Sequence, residues 1–125
     1  MATRSLGGER DRRPATSTQA PAVVQRYFEC DADRDTEAIV GLFTDDATVI
    51  DEGEERRGTG EIRRWRRGPA SKYQYTTTIL DGHPTGEGGY RVIARLDGNF
   101  PGATVELKHD FRIDGDRIGY LKIAP

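Results

Sequence analysis

The sequence has one cysteine, one tryptophan, one methionine and two histidines in 125 residues. A lone cysteine, Cys30, excludes an internal disulfide framework and any zinc site built on several cysteines. No apolar run reaches the length of a helical membrane span, so none is expected. Charge of one sign is lacking too. The 19 Lys and Arg against 21 Asp and Glu leave a net charge of -2, which gives no global reason to expect nucleic acid. The opening residues, MATRSLGGERDRRPATSTQ, have no apolar segment of the kind a secretory signal needs. Glu9 and Asp11 among the arginines also argue against a transit peptide. These absences leave a soluble, cytoplasmic chain with room for one domain of ordinary size.

Residues 1–19 read as a disordered N-terminal extension. Gly7, Gly8, Pro14 and the Thr16–Thr18 cluster break periodicity, and only Leu6 is large and apolar. Such a segment buries too little surface to offset its ordering entropy. The folded domain is expected over 20–125.

Pro21 suits a first helical turn, and Val23, Val24, Tyr27 and Phe28 follow on one face. Asp35 is the expected N-cap of a second helix with a buried stripe of Ala38, Ile39, Leu42 and Phe43, ended by a turn at 44–46. A strand at 47–51 closes at Gly53. A third helix, 59–67, places Ile62 and Trp65 one turn apart among arginines and stops at Gly68-Pro69. From Tyr73 onward the period changes to two, with strands at 73–81, 89–97, 104–113 and 117–124. Turns are expected at 81–84, 98–102 and 114–116. This order predicts an α+β fold in which three helices cover a curved antiparallel sheet.

Three polar side chains fall on apolar faces. His109 shares its face with Val105, Leu107, Phe111 and Ile113. An unpaired buried polar group costs about 1–3 kcal/mol, so this imidazole is either a core group bonded to backbone or a working one. Asp51 is in phase with Ala47 and Val49. It is either a solvated strand end or a carboxylate in a cleft, where low dielectric favours accepting and returning a proton. Tyr27 lies on the buried face of the first helix, as core or as a donor to a developing oxyanion. Trp65, Phe111 and Tyr90 are candidates to fill or line the space between them.

The remaining features read as non-catalytic. Six arginines between Arg56 and Arg67 are expected to form a solvated helix face balanced by Glu52, Glu54, Glu55 and Glu61, rather than a patch for phosphate. Gly86-Glu87-Gly88-Gly89 has no helix after it and so is no phosphate loop. Neither His83 nor Cys30 has companions at ligand spacing, and no metal is expected.

Arg26-Tyr27, Thr36-Glu37-Ala38-Ile39-Val40, the segment from Thr44 to Asp51 (TDDATVID) and Gly60-Glu61-Ile62-Arg63-Arg64-Trp65 together resemble the nuclear transport factor 2-like superfamily. Within it the ketosteroid isomerases and the SnoaL-like polyketide cyclases are the nearest in pattern, over roughly residues 20–124. The resemblance implies a cone-shaped sheet that binds a small hydrophobic molecule, pairs into a homodimer and needs no cofactor. It also implies that Tyr27 donates to a dienolate oxygen and that Asp51 is the general base. The third position, an un-ionised carboxylic acid in the isomerases, is taken here by His109, and the proline that follows their base is replaced by Glu52. The function implied is proton transfer on a steroid- or polyketide-like carbonyl compound. The alternative on the same scaffold is a non-catalytic ligand-binding or dimerisation module.

Overall fold

The computed structural model describes residues 20–125; the expected N-terminal extension lies outside them. Helix α1 spans Ala22–Ala32 and α2 spans Thr36–Val40. Strand β1 runs Phe43–Asp51, β2 Glu54–Arg57, and α3 follows at Gly58–Arg67 with a 3-10 turn at Pro69–Ser71. The remaining strands are β3 (Tyr75–Pro84), β4 (Gly89–Gly98), β5 (Thr104–Asp114) and β6 (Arg117–Ala124). The sheet order is β2-β1-β6-β5-β4-β3. The α+β architecture is therefore as expected, with a curved sheet over three helices. The last four strands form the antiparallel meander, while β1 lies parallel to β6, so the whole sheet is mixed.

Several boundaries differ from the sequence expectation, each for a local reason. Asp35 caps α2, its side chain accepting from the Ala38 amide at 3.1 Å, but the helix ends at Val40 with Gly41 at its C-cap. Phe43 thus starts β1 instead of closing a helical stripe. Residues 44–46 are not a turn; they belong to the irregular stretch of β1 between its two points of register with β6, at Phe43 and Thr48. Strand β2 was not expected at all, because Glu54-Glu55-Arg56-Arg57 carries no apolar alternation. It pairs with β1 through a two-residue hairpin at Glu52 (φ 54) and Gly53 (φ 76), the left-handed pair that suits a tight hairpin.

The turn expected at 81–84 is likewise strand. A bulge between Ile79 and Asp81 carries β3 on to Pro84, and the reversal falls at 85–88. Pro84 is tolerated there because β3 is an edge strand. Gly82 is required by packing, since a Cβ on it would lie 2.8 Å from the Tyr90 hydroxyl.

The core joins helices to sheet through Trp65, Phe43, Ile39, Ile62, Ile118, Leu121, Val24 and Val49, all fully buried. No helix among the described residues is long and apolar enough to cross a membrane.

Candidate functional site

The side chains of α1, α3 and the inner face of the sheet leave a cavity of about 530 Å³, within the size range of small-molecule sites. Its walls include Phe28, Trp65, Leu96, Phe100, Val105 and Leu107. Its polar residues include Tyr27, Asp31, Asp51, Arg66, Tyr75 and His109, together with Glu52, Tyr73 and Thr77. All three sequence-predicted polar residues therefore meet one cavity, each delivered by a different element.

Asp51 closes β1, where the strand's alternation turns it to the same side as buried Ala47 and Val49. Its Oδ2 accepts a hydrogen bond from Trp65 Nε1 at 2.9 Å. That bond fixes the carboxylate's rotation.

Tyr27 is buried, with its ring edge-on to Phe28, Phe43 and Phe111 at centroid distances of 5.2, 6.4 and 5.4 Å. Burial pushes its phenol far above the ordinary value. Arg66 pulls it back, while Asp31, Tyr75 and Asp51 add to the rise. At neutral pH it is a hydrogen-bond donor.

His109 is 5% exposed. Its ring lies edge-on to Phe28 at 5.2 Å and stacks on Phe111 at 6.4 Å. Burial pulls its pKa down to about 4, against weaker opposing pulls led by Asp31, and its Nδ1 has no hydrogen-bond partner among the described residues. It is a neutral imidazole, able to donate from one nitrogen but carrying no charge.

This burial links stability to pH. The unfolded chain protonates His109 near its ordinary 6.5, the folded protein only near 4. Below 6.5 the unfolded state therefore binds the extra proton, and stability falls with falling pH down to about 4, by up to about 3 kcal/mol. Urea midpoints measured between pH 7 and 4.5 should drop for the unaltered protein and flatten in His109→Gln. Equal slopes in the two proteins would refute the linkage.

Two expected pocket residues are placed elsewhere. Trp65 does line the cavity, but Phe111 and Tyr90 do not. The β5 residues that face the cavity are Val105, Leu107 and His109, so its floor is reached at His109. Phe111 lies one alternation step further, packed on Tyr27, Phe28 and His109, with Tyr90 its cross-strand neighbour. Both are core.

The sequence reading also missed a group. Asp31 and Arg66 are each 7% exposed and pair across α1 and α3, Arg66 donating from Nη2 to Asp31 Oδ1 at 2.7 Å. The Tyr75 hydroxyl donates to the same oxygen at 3.0 Å. Burial and the Asp31 charge push the Tyr75 phenol up to about 12. Of the six arginines assigned to a solvated face, Arg63 and Arg67 do clamp the exposed Glu37, at 2.8 and 3.0 Å. Arg66 does not, because it shares the buried stripe of Ile62 and Trp65. Helical spacing was the available signal: Arg66 is four residues from Ile62, as Asp31 is from Tyr27.

A helix-backed curved sheet enclosing an amphipathic cavity defines the chain as a nuclear transport factor 2-like domain. More narrowly, it belongs to the SnoaL-like domain family, whose model matches residues 24–118. A candidate polyketide cyclase from Sinorhizobium meliloti is 34% identical, with 86% of this chain and 98% of that one covered and a TM-score of 0.81. The Δ5-3-ketosteroid isomerase from a Mycobacterium species shares the fold at 20% identity, with 83% and 90% covered and a TM-score of 0.69. So does a Mycobacterium tuberculosis protein in complex with estradiol-17β-hemisuccinate, at 16% identity, 82% and 90% covered, and a TM-score of 0.70. No curated protein sequence matches the chain.

Proposed function

We propose that this chain is a small cofactor-independent enzyme of the isomerase or cyclase type, transferring a proton on a hydrophobic, steroid- or polyketide-like carbonyl compound. The observation that carries this reading is the Asp51 carboxylate, anchored by Trp65 at 2.9 Å on the wall of a cavity that it shares with Tyr27 and His109. Asp51 Oδ1 removes a proton from the carbon beside the carbonyl. The electron pair moves onto the carbonyl oxygen, where Tyr27 and neutral His109 donate hydrogen bonds. Asp51 then returns the proton to another carbon of the conjugated system. A base and a preorganised oxyanion site are what such a reaction requires, and side chains of this chain provide both. The names of the similar structures, a candidate cyclase and a ketosteroid isomerase, support the substrate class. A homodimer and a cytoplasmic location, implied by the family resemblance, belong to the same proposal.

The test is to follow conjugation of a β,γ-unsaturated ketosteroid by ultraviolet absorbance while titrating its binding through Trp65, the one tryptophan of the sequence. Turnover above the buffer rate is expected. Saturable binding without turnover would make the chain a binding module, and neither binding nor turnover would discard the steroid-like ligand class.

A further inference from the structure

The acid–base reading leaves the Asp31–Arg66 pair without a task, and its geometry is unlike that of a purely structural ion pair. Burying two charges costs several kcal/mol per ion unless good geometry and further hydrogen bonds satisfy both. A guanidinium has five N–H donors and usually grips a carboxylate through two of them. Arg66 makes a single side-chain hydrogen bond among the described residues, Nη2 to Asp31 Oδ1, and its buried Nε has no partner there. Asp31, by contrast, is held twice at Oδ1, by Arg66 and by Tyr75. The carboxylate is fixed and the guanidinium is underused.

Its position is also defined. Tyr27 and Asp31 are four residues apart on α1 and so stand one above the other on the same face. Arg66 is bound to Asp31, and all three line the cavity. Its guanidinium also rests over the Trp65 ring, 5.3 Å from the centroid.

Resting on the acid–base reading, we propose that Arg66, positioned by Asp31 and Tyr75, completes an anion subsite with Tyr27 and His109 that binds ligands as enolates or phenolates. When Asp51 takes the proton, its negative charge is neutralised and the same charge appears on the ligand oxygen. Tyr27 and His109 offer that oxygen hydrogen bonds but no positive charge. Among the described residues Arg66 is the one cation of the cavity wall, and in low dielectric its field favours the charge-transferred state. Asp31 and Tyr75 are positioning residues in this scheme.

Removing Arg66 alone leaves Asp31 buried and unpaired, so the main test uses the double substitution Asp31→Leu/Arg66→Met, with Arg66→Lys beside it. The probes are 2-naphthol and its methyl ether, titrated by Trp65 quenching, with absorbance reporting naphtholate. The unaltered protein should prefer naphthol and ionise it on binding. The folded double variant should lose that preference by about tenfold while binding the ether within threefold of the unaltered protein, and Arg66→Lys should fall between. On a ketosteroid the double variant should lower kcat and leave KM nearly unchanged. An unchanged naphthol preference in the folded double variant overturns the anion subsite, and continued ketosteroid turnover beside that result would leave Asp51 as base intact. Failure of the unaltered protein to bind either probe or to turn over ketosteroid would overturn both.

Discussion

Asp51→Asn is expected to lower kcat on a β,γ-unsaturated ketosteroid by about 10²–10⁴-fold, the usual contribution of a positioned general base, with the fold intact. The amide has the shape of the carboxylate, and its Oδ1 still accepts from Trp65 Nε1, so the bond at 2.9 Å survives. What is lost is a group that can hold a proton. KM should move little, because ligand binding comes from the apolar walls and the Tyr27 and His109 donors. Stability should hold as well, since among the described residues no cation pairs with the Asp51 carboxyl group. Tyr27→Phe should cost about 10²–10³-fold, as for one oxyanion donor. The double variant should lose less than the product of the two, because both groups serve one transition state. Measuring kcat and KM separately, with circular dichroism as the check on folding, decides the matter. An Asp51→Asn protein that retains kcat within threefold is not using Asp51 as its base.

Legibility followed the physics of each signal. The alternation of β5 put His109 on the inner face correctly, because a period of two depends only on strand pleat. The same rule put Asp51 with Ala47 and Val49. Depth along a strand is invisible to periodicity, and for that reason the sequence pattern groups Phe111 with the cavity although it lies one step beneath the floor. Strand β2 is hidden because its four residues are all charged and give no apolar alternation, although they pair in register with β1. The loss of Arg66 had a different cause. Composition treats a run of arginines as solvated, whereas the helix sorts them by angle: Arg63 and Arg67 toward Glu37, Arg66 toward Asp31. A long aliphatic stem lets a guanidinium sit on an apolar stripe when a carboxylate waits at its end. That carboxylate is 35 residues earlier in the chain, so the partnership is a tertiary fact.

That partnership sets the second large effect. Arg66→Met alone should destabilise the protein by about 3–5 kcal/mol, the cost of leaving a buried charge uncompensated. Tyr75 would still donate to Asp31 Oδ1, but a neutral phenol cannot balance the carboxylate. Asp31→Leu alone should cost a similar amount by stranding the guanidinium, whose Nε already lacks a partner. Together the two changes should be far from additive. Replacing both charges with apolar groups of similar volume is often neutral, or stabilising by about 1–4 kcal/mol, so the double variant should unfold in urea near the unaltered midpoint. Strict additivity in this cycle would mean that the two residues do not interact in solution. Recovery of stability without recovery of naphthol discrimination would show that packing can do without the ion pair and that ligand binding cannot. A pair kept for the fold would be replaceable on both counts, and the orphaned donor on Arg66 argues that it is not.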